Sequence, residues 1–169
     1  MISINKYEEL QNPSAEAGII CTLIRNPDFY FHSDLLTPKM FYDKSNGFIF
    51  YAIGKLAEKG VQTIDAYNIL MILSGSTFTS GETKTITVDF LNELISEVGI
   101  LSRDTVEEYT VLVKNVIDMA FRREVFLKLQ HCESLCFKES EDDLQNKIFT
   151  TIDQTLSKYL NCGNISQFG

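Results

Sequence analysis

The chain has 169 residues, 44% of them hydrophobic, enough to bury roughly two-thirds of its extended surface in one domain or in one domain with an appendage. Fifteen lysines and arginines against 23 aspartates and glutamates leave a formal net charge of −8, the wrong sign for a face that grips phosphates, so strong direct binding to duplex DNA is not expected. Apolar runs are short and the opening MISINKYEEL lacks the apolar core of a signal peptide, so no membrane span or leader is expected and the chain reads as soluble and cytoplasmic.

In chain order the pattern is helical almost throughout. Asn12 before Pro13 makes a helix start, with Asn as cap and Pro in the first turn, and Ala17, Ile20, Cys21, Leu23 and Ile24 follow as an apolar stripe closed by Asn26 and Pro27. The pattern predicts a short helix over Phe31–Leu36 and a turn at Thr37 and Pro38 leading to Phe41 and Tyr42. The next helix carries Phe48, Ile49, Tyr51, Ala52, Ile53 and Leu56 and is closed by a left-handed Gly60. Asp65 caps the one after it, with Ile64 placed to staple onto Ile69. Residues 74–87 are rich in Gly, Ser and Thr without apolar period, a loop or weak hairpin. "VDFLNELISEVG" then predicts a helix with Phe90, Leu91, Leu94, Ile95 and Val98 on one side and an end at Gly99.

The remaining third has a different character. Asp104 with Glu107 reads as a capping box, and from there to about Lys138 neither proline nor glycine occurs, so one long helix is expected. Ser140 with Asp143 reads as a second box, opening a helix with Leu144, Ile148, Ile152, Leu156 and Leu160 and a stop at Gly163. The expected fold is all-α: a compact helical bundle over residues 1–101, a long antiparallel helical hairpin over 102–162, and a linker starting at 163–169. The first long helix has two apolar rows, Tyr109, Val113, Val116 and Ala120, and Ile117, Phe121, Val125 and Leu129, a stripe wider than one partner helix needs. One row suits Ile148, Ile152 and Leu156 within the hairpin. The other is left for a second copy, with Phe121 as its anchor, or for a primase domain, unless the hairpin folds back on the bundle; these outcomes stay open at this level.

Candidate chemistry is sparse. Cys21, Cys132, Cys136 and Cys162 form no disulfide framework. His131, Cys132 and Cys136 would share a helical region, but zinc needs four ligands and no matching pair exists, so packed reduced thiols are the expectation. His32 has no accompanying nucleophile motif. The acidic pairs Glu107/Glu108 and Asp142/Asp143 fall in first turns, where the helix dipole explains them. No catalytic, cofactor or metal residue is expected, and Arg122 and Arg123 are at most a weak single-strand contact.

The order of elements, with "NPSAEAGIICTLIRNP" at 12–27, "LLTPKMFYDKSNGFIFYAIGKLAEKGVQTID" at 35–65, "FLNEL" at 90–94, "VEEYTVLVKNVIDMAFRRE" at 106–124 and "DLQNKIFTTIDQTL" at 143–156, resembles the N-terminal domain of DnaB-family replicative DNA helicases. The positions that carry the likeness are Ser14, Glu16, Ala17, Phe41, Tyr42, Ile49, Phe50, Gly60, Ile64 and Asp65. Asn46 stands near a place where the family commonly has His, and "SGETKTITVDF" replaces a common Gly-Gly, as in a divergent phage or mobile-element member. The resemblance implies a collar domain of the primosome that pairs through its hairpin, as a dimer or a trimer of dimers, and receives the primase C-terminal domain and in some systems a helicase loader. No Gly-x-x-x-x-Gly-Lys-Ser/Thr loop occurs, so ATP and Mg²⁺ would belong to a RecA-like domain beyond Gly169. The alternative is a free-standing adaptor, a loader, inhibitor or primase-binding protein without a motor, told apart by whether the reading frame continues past Gly169.

Overall fold

The computed structural model describes residues 6–78 and 81–168, with side chains as far as Leu160. Helix α1, Pro13–Arg25, starts where local chemistry dictates: the Asn12 side chain accepts from Ala15 N at 3.0 Å and Pro13, lacking an N–H, occupies the first turn. Ala15, Ile19, Ile20, Cys21, Leu23 and Ile24 are buried, so α1 is surrounded on nearly all sides, more than its predicted stripe requires. In place of a helix over Phe31–Leu36 the chain makes a 3-10 turn at Pro27–His32, then a tight corner at Asp34 with φ 51, a left-handed residue that stops continuation. A second 3-10 turn at Pro38–Met40 follows.

Helix α2, Lys44–Glu58, is capped by Asp43, whose Oδ1 accepts from Ser45 N at 2.9 Å. It ends in a Schellman motif: Gly60 N donates to Ala57 O at 2.9 Å and Val61 N to Leu56 O at 3.0 Å, with Gly60 at φ 77. Helix α3, Ala66–Ser74, opens with a reciprocal capping box between Asp65 and Asn68, and Ile64 and Ile69 on either side of the cap are buried. On the connection to α4, Phe78 stacks edge-on against Phe48 at 4.7 Å and Tyr51 at 5.1 Å, and Ile86 is buried. Helix α4, Val88–Ser96, capped by Thr87, buries Leu91, whereas Phe90 is exposed. Helix α5, Val98–Leu101, runs through Gly99 instead of ending there; glycine permits a helix end without forcing one.

Helix α6, Val106–Leu135, begins one residue later than the predicted box. Thr105 Oγ1 accepts from Glu108 N at 3.1 Å, and the Glu108 carboxylate takes Asp104 N at 3.2 Å. Helix α7, Glu141–Phe168, follows Ser140, whose hydroxyl donates to Asp143 at 3.0 Å. Helix α7 continues past the stop predicted at Gly163; this part of the 163–169 linker expectation, like Cys162, lies outside the described side chains. Among the described residues the chain is all-helical, a bundle followed by a helical hairpin.

The compact units are drawn differently from the predicted 1–101 and 102–162. One consists of residues 12–117; the other comprises the described part of 1–11 together with 118–169. The first half of α6 packs in the first unit through Tyr109, Val113 and Val116, and residues 6–11 lie against the hairpin.

Candidate protein interface

The first row of the predicted interface is core. Tyr109, Val113 and Val116 are each at most 1% exposed and Ala120 is buried, so none presents surface to another chain. Tyr109 meets the Phe29 ring edge-on at 5.8 Å and its hydroxyl lies 2.6 Å from Ser33 Oγ. Burial pushes its phenol well above the ordinary tyrosine range. The same effect lifts the Cys21 thiol to about 11. The wide stripe thus has a simpler cause than a second copy, because the bundle fills half of it.

The second row is divided. Phe121 does not stand out as an intermolecular anchor: it is half-buried and packs on Tyr159 across the hairpin at 5.1 Å, while Lys158 reaches Glu124 at 3.1 Å. Ile117, Val125, Ile148 and Ile152 are half-buried, and Leu129 and Leu156 are exposed. Around the predicted row Leu144, Ile148, Ile152 and Leu156 the structure adds Gln145, Phe149 and Asp153. Leu144, Gln145, Ile148, Phe149, Ile152, Asp153 and Leu156 line an open, shallow hollow of about 530 Å³ on one face of α7. Its most exposed apolar member is Phe149, at 70%. The spacing 145, 149, 152 and 156 alternates four and three, the signature of a helix seam, which was available in the sequence beside the i+4 row that was read.

The ten positions that carry the family likeness explain the fold more than a binding surface. Glu16, only 2% exposed, accepts from Tyr42 N at 2.8 Å, Asp43 N at 3.2 Å and Asn46 Nδ2 at 3.2 Å, fastening α1 to the start of α2. Phe41 and Phe50 stack in the core at 5.1 Å, and Gly60 and Asp65 form the link between α2 and α3. Nearby, a Cβ on Gly47 would meet the Pro38 carbonyl oxygen at 2.4 Å, so only glycine lets that turn approach α2.

Polar candidates resolve into ordinary contacts. Arg122 pairs with Asp118 at 2.8 Å, and Arg123 is buried with Nη1 donating to Leu10 O at 2.6 Å, which removes both from the role of an open cationic pair. His32 and His131 are exposed, Cys132 is buried, and Cys136 donates to Cys132 O at 3.5 Å. Among the described residues no group of three or more His, Cys, Asp or Glu could hold a metal ion, and no helix is long and apolar enough to cross a membrane.

The family model "DnaB-like helicase N terminal domain" matches residues 8–115. The solved N-terminal domain of DnaB helicase from Mycobacterium tuberculosis is similar with a TM-score of 0.62 at 19% identity, covering 83% of this chain and 97% of that one. No curated protein matches in sequence. Because the family model spans more than half of the residues, and its matched region coincides with the unit whose core the shared positions build, the chain belongs to the DnaB-like helicase N-terminal domain family.

Proposed function

We propose that this chain serves as the N-terminal collar of a hexameric replicative helicase, associating with itself through the hairpin as a dimer or a trimer of dimers and receiving the primase C-terminal domain or a loader. The observation that supports it is the apolar face of α7, where Phe149, Leu156 and Leu160 stand exposed beside the hollow. Folded monomers seldom leave such a row of large side chains in water, and a symmetric pairing of hairpins covers it. ATP and Mg²⁺ act in a RecA-like domain of the assembled helicase; this chain contributes geometry and partner recruitment.

Sedimentation velocity with circular dichroism on Phe149→Asp tests the reading. The unsubstituted chain is expected to sediment as a dimer or larger, and the variant as a monomer with unchanged helical content. An unsubstituted chain that stays monomeric at hundreds of micromolar, or a variant that associates as well, overturns it.

A further inference from the structure

The second unit contains a segment distant in sequence from the hairpin. Residues 6–11 are grouped with 118–169 and not with the helix α1 that follows them directly. Residues 6–8 are helical and the turn closes with Glu9 N to Lys6 O at 3.2 Å and Leu10 N to Tyr7 O at 3.0 Å. This puts Tyr7 and Leu10 three apart on one side, both half-buried, while Glu8 and Glu9 face solvent. Tyr7 meets Phe126 with ring centroids at 6.3 Å, and the Leu10 carbonyl takes the hydrogen bond from the buried Arg123 guanidinium.

These contacts lie on a particular side of α6. At 100° per residue, Arg123 and Phe126 fall within about 60° of each other, on the side of the helix away from Phe121, Cys132 and Leu135. Phe121 faces Tyr159 of α7, and Cys132 and Leu135 are buried. The second half of α6 is therefore held from two directions, by α7 and by the N-terminal segment. A hairpin of two helices has little core of its own, and a third element that seats an aromatic ring and satisfies a buried cation supplies a disproportionate share of its order.

We infer that residues 6–11 are a strap that sets the local stability of the hairpin from the far end of the chain. A partner that engages or displaces this segment loosens the hairpin without touching it. The inference rests on the reading of the hairpin as the association element only for its biological consequence, because the strap's effect on α6 exists in a single chain.

The test is hydrogen exchange on the whole chain at a dilution where it is monomeric, comparing the unsubstituted protein with Tyr7→Ala and Arg123→Gln. Exchange is expected to quicken about tenfold for amides of residues 118–160 in both variants, while amides of 13–100 keep their rates. Unchanged hairpin rates overturn the strap, and so does an equal rise in both regions, which marks a general loss of stability. Sedimentation of the same samples at high concentration reports self-association separately, so a failure of the collar reading and a failure of the strap are told apart.

Discussion

The bundle and the hairpin use the same apolar residue types to different ends. Residues 12–117 enclose a core: Ile19, Ile20, Leu23, Ile49, Ile53, Ile69 and Leu91 have no measurable exposure, and even the carboxylate of Glu16 is enclosed with three donors, although Tyr67, Met71, Ile100 and Val111 stay at the surface. In the second unit Leu129, Phe137, Phe149, Leu156 and Leu160 remain in water and few side chains are fully enclosed. An amphipathic pattern states that a face will be covered; it does not state by what. The first unit has an enclosed core of its own, while the second has few enclosed side chains beside the exposed row on α7.

This contrast breaks first at Phe50. It is 1% exposed and packed by the Tyr30 and Phe41 rings, so Phe50→Ala should lower unfolding free energy by about 4 kcal/mol, measured by chemical denaturation. Glu16→Ala strips the acceptor from two backbone amides and the Asn46 side chain, and a loss of about 3 kcal/mol is expected; a change below half of that would show that water replaces the carboxylate readily. Tyr109→Phe keeps the ring and deletes the bond to Ser33, for about 1.5 kcal/mol by the same assay.

Alkaline pH gives a smaller and graded version. The Cys21 thiol, ordinarily 9.0, is held near 11 by burial first and by the negative charge of Glu97 second. Over that interval the unfolded chain has released its proton and the folded chain has not, so stability is fully present below about pH 9 and declines as pH rises toward 11. Tyr109, raised mainly by burial, extends the decline from about pH 10 upward. Melting curves of Cys21→Ala should show a flatter fall than the unsubstituted chain between pH 9 and 10, where Tyr109 has little effect. At the far end of the scale, Phe149→Ala should leave monomer stability within about 0.5 kcal/mol while weakening self-association roughly tenfold or more. A Phe149→Ala protein that melts several degrees lower would place that ring in the monomer's own packing.

What could be read in advance was chemistry confined to a few consecutive residues. Asn12 with Pro13, the left-handed Gly60 and the Asp65 cap act within one turn, and each stands where expected. The start of α6 was ambiguous for the same local reason, because Asp104 and Thr105 both cap well and Glu107 and Glu108 both complete the three-residue spacing. Gly99 and Gly163 misled because glycine permits a helix end without forcing one; Gly60 is the glycine with a positive φ among the described residues, the conformation that closes a helix decisively. The interface row failed on a nonlocal fact: periodicity placed Tyr109, Val113 and Val116 on one face correctly, and the neighbour that covers them comes from the bundle. Arg123 was equally opaque, since its partner lies 113 positions away in sequence.

That separation also fixes an order of events during synthesis. Residues 6–11 leave the ribosome early, yet the side chain that receives them emerges more than a hundred residues later. At 5 to 20 residues per second the wait is roughly 6 to 20 s, far longer than a helical bundle of ordinary contact order needs to fold. The bundle can thus close around α1 before the second half of α6 exists, leaving residues 6–11 undocked until then. Their docking is a late step, and a protein that binds them cotranslationally would have those seconds in which to act.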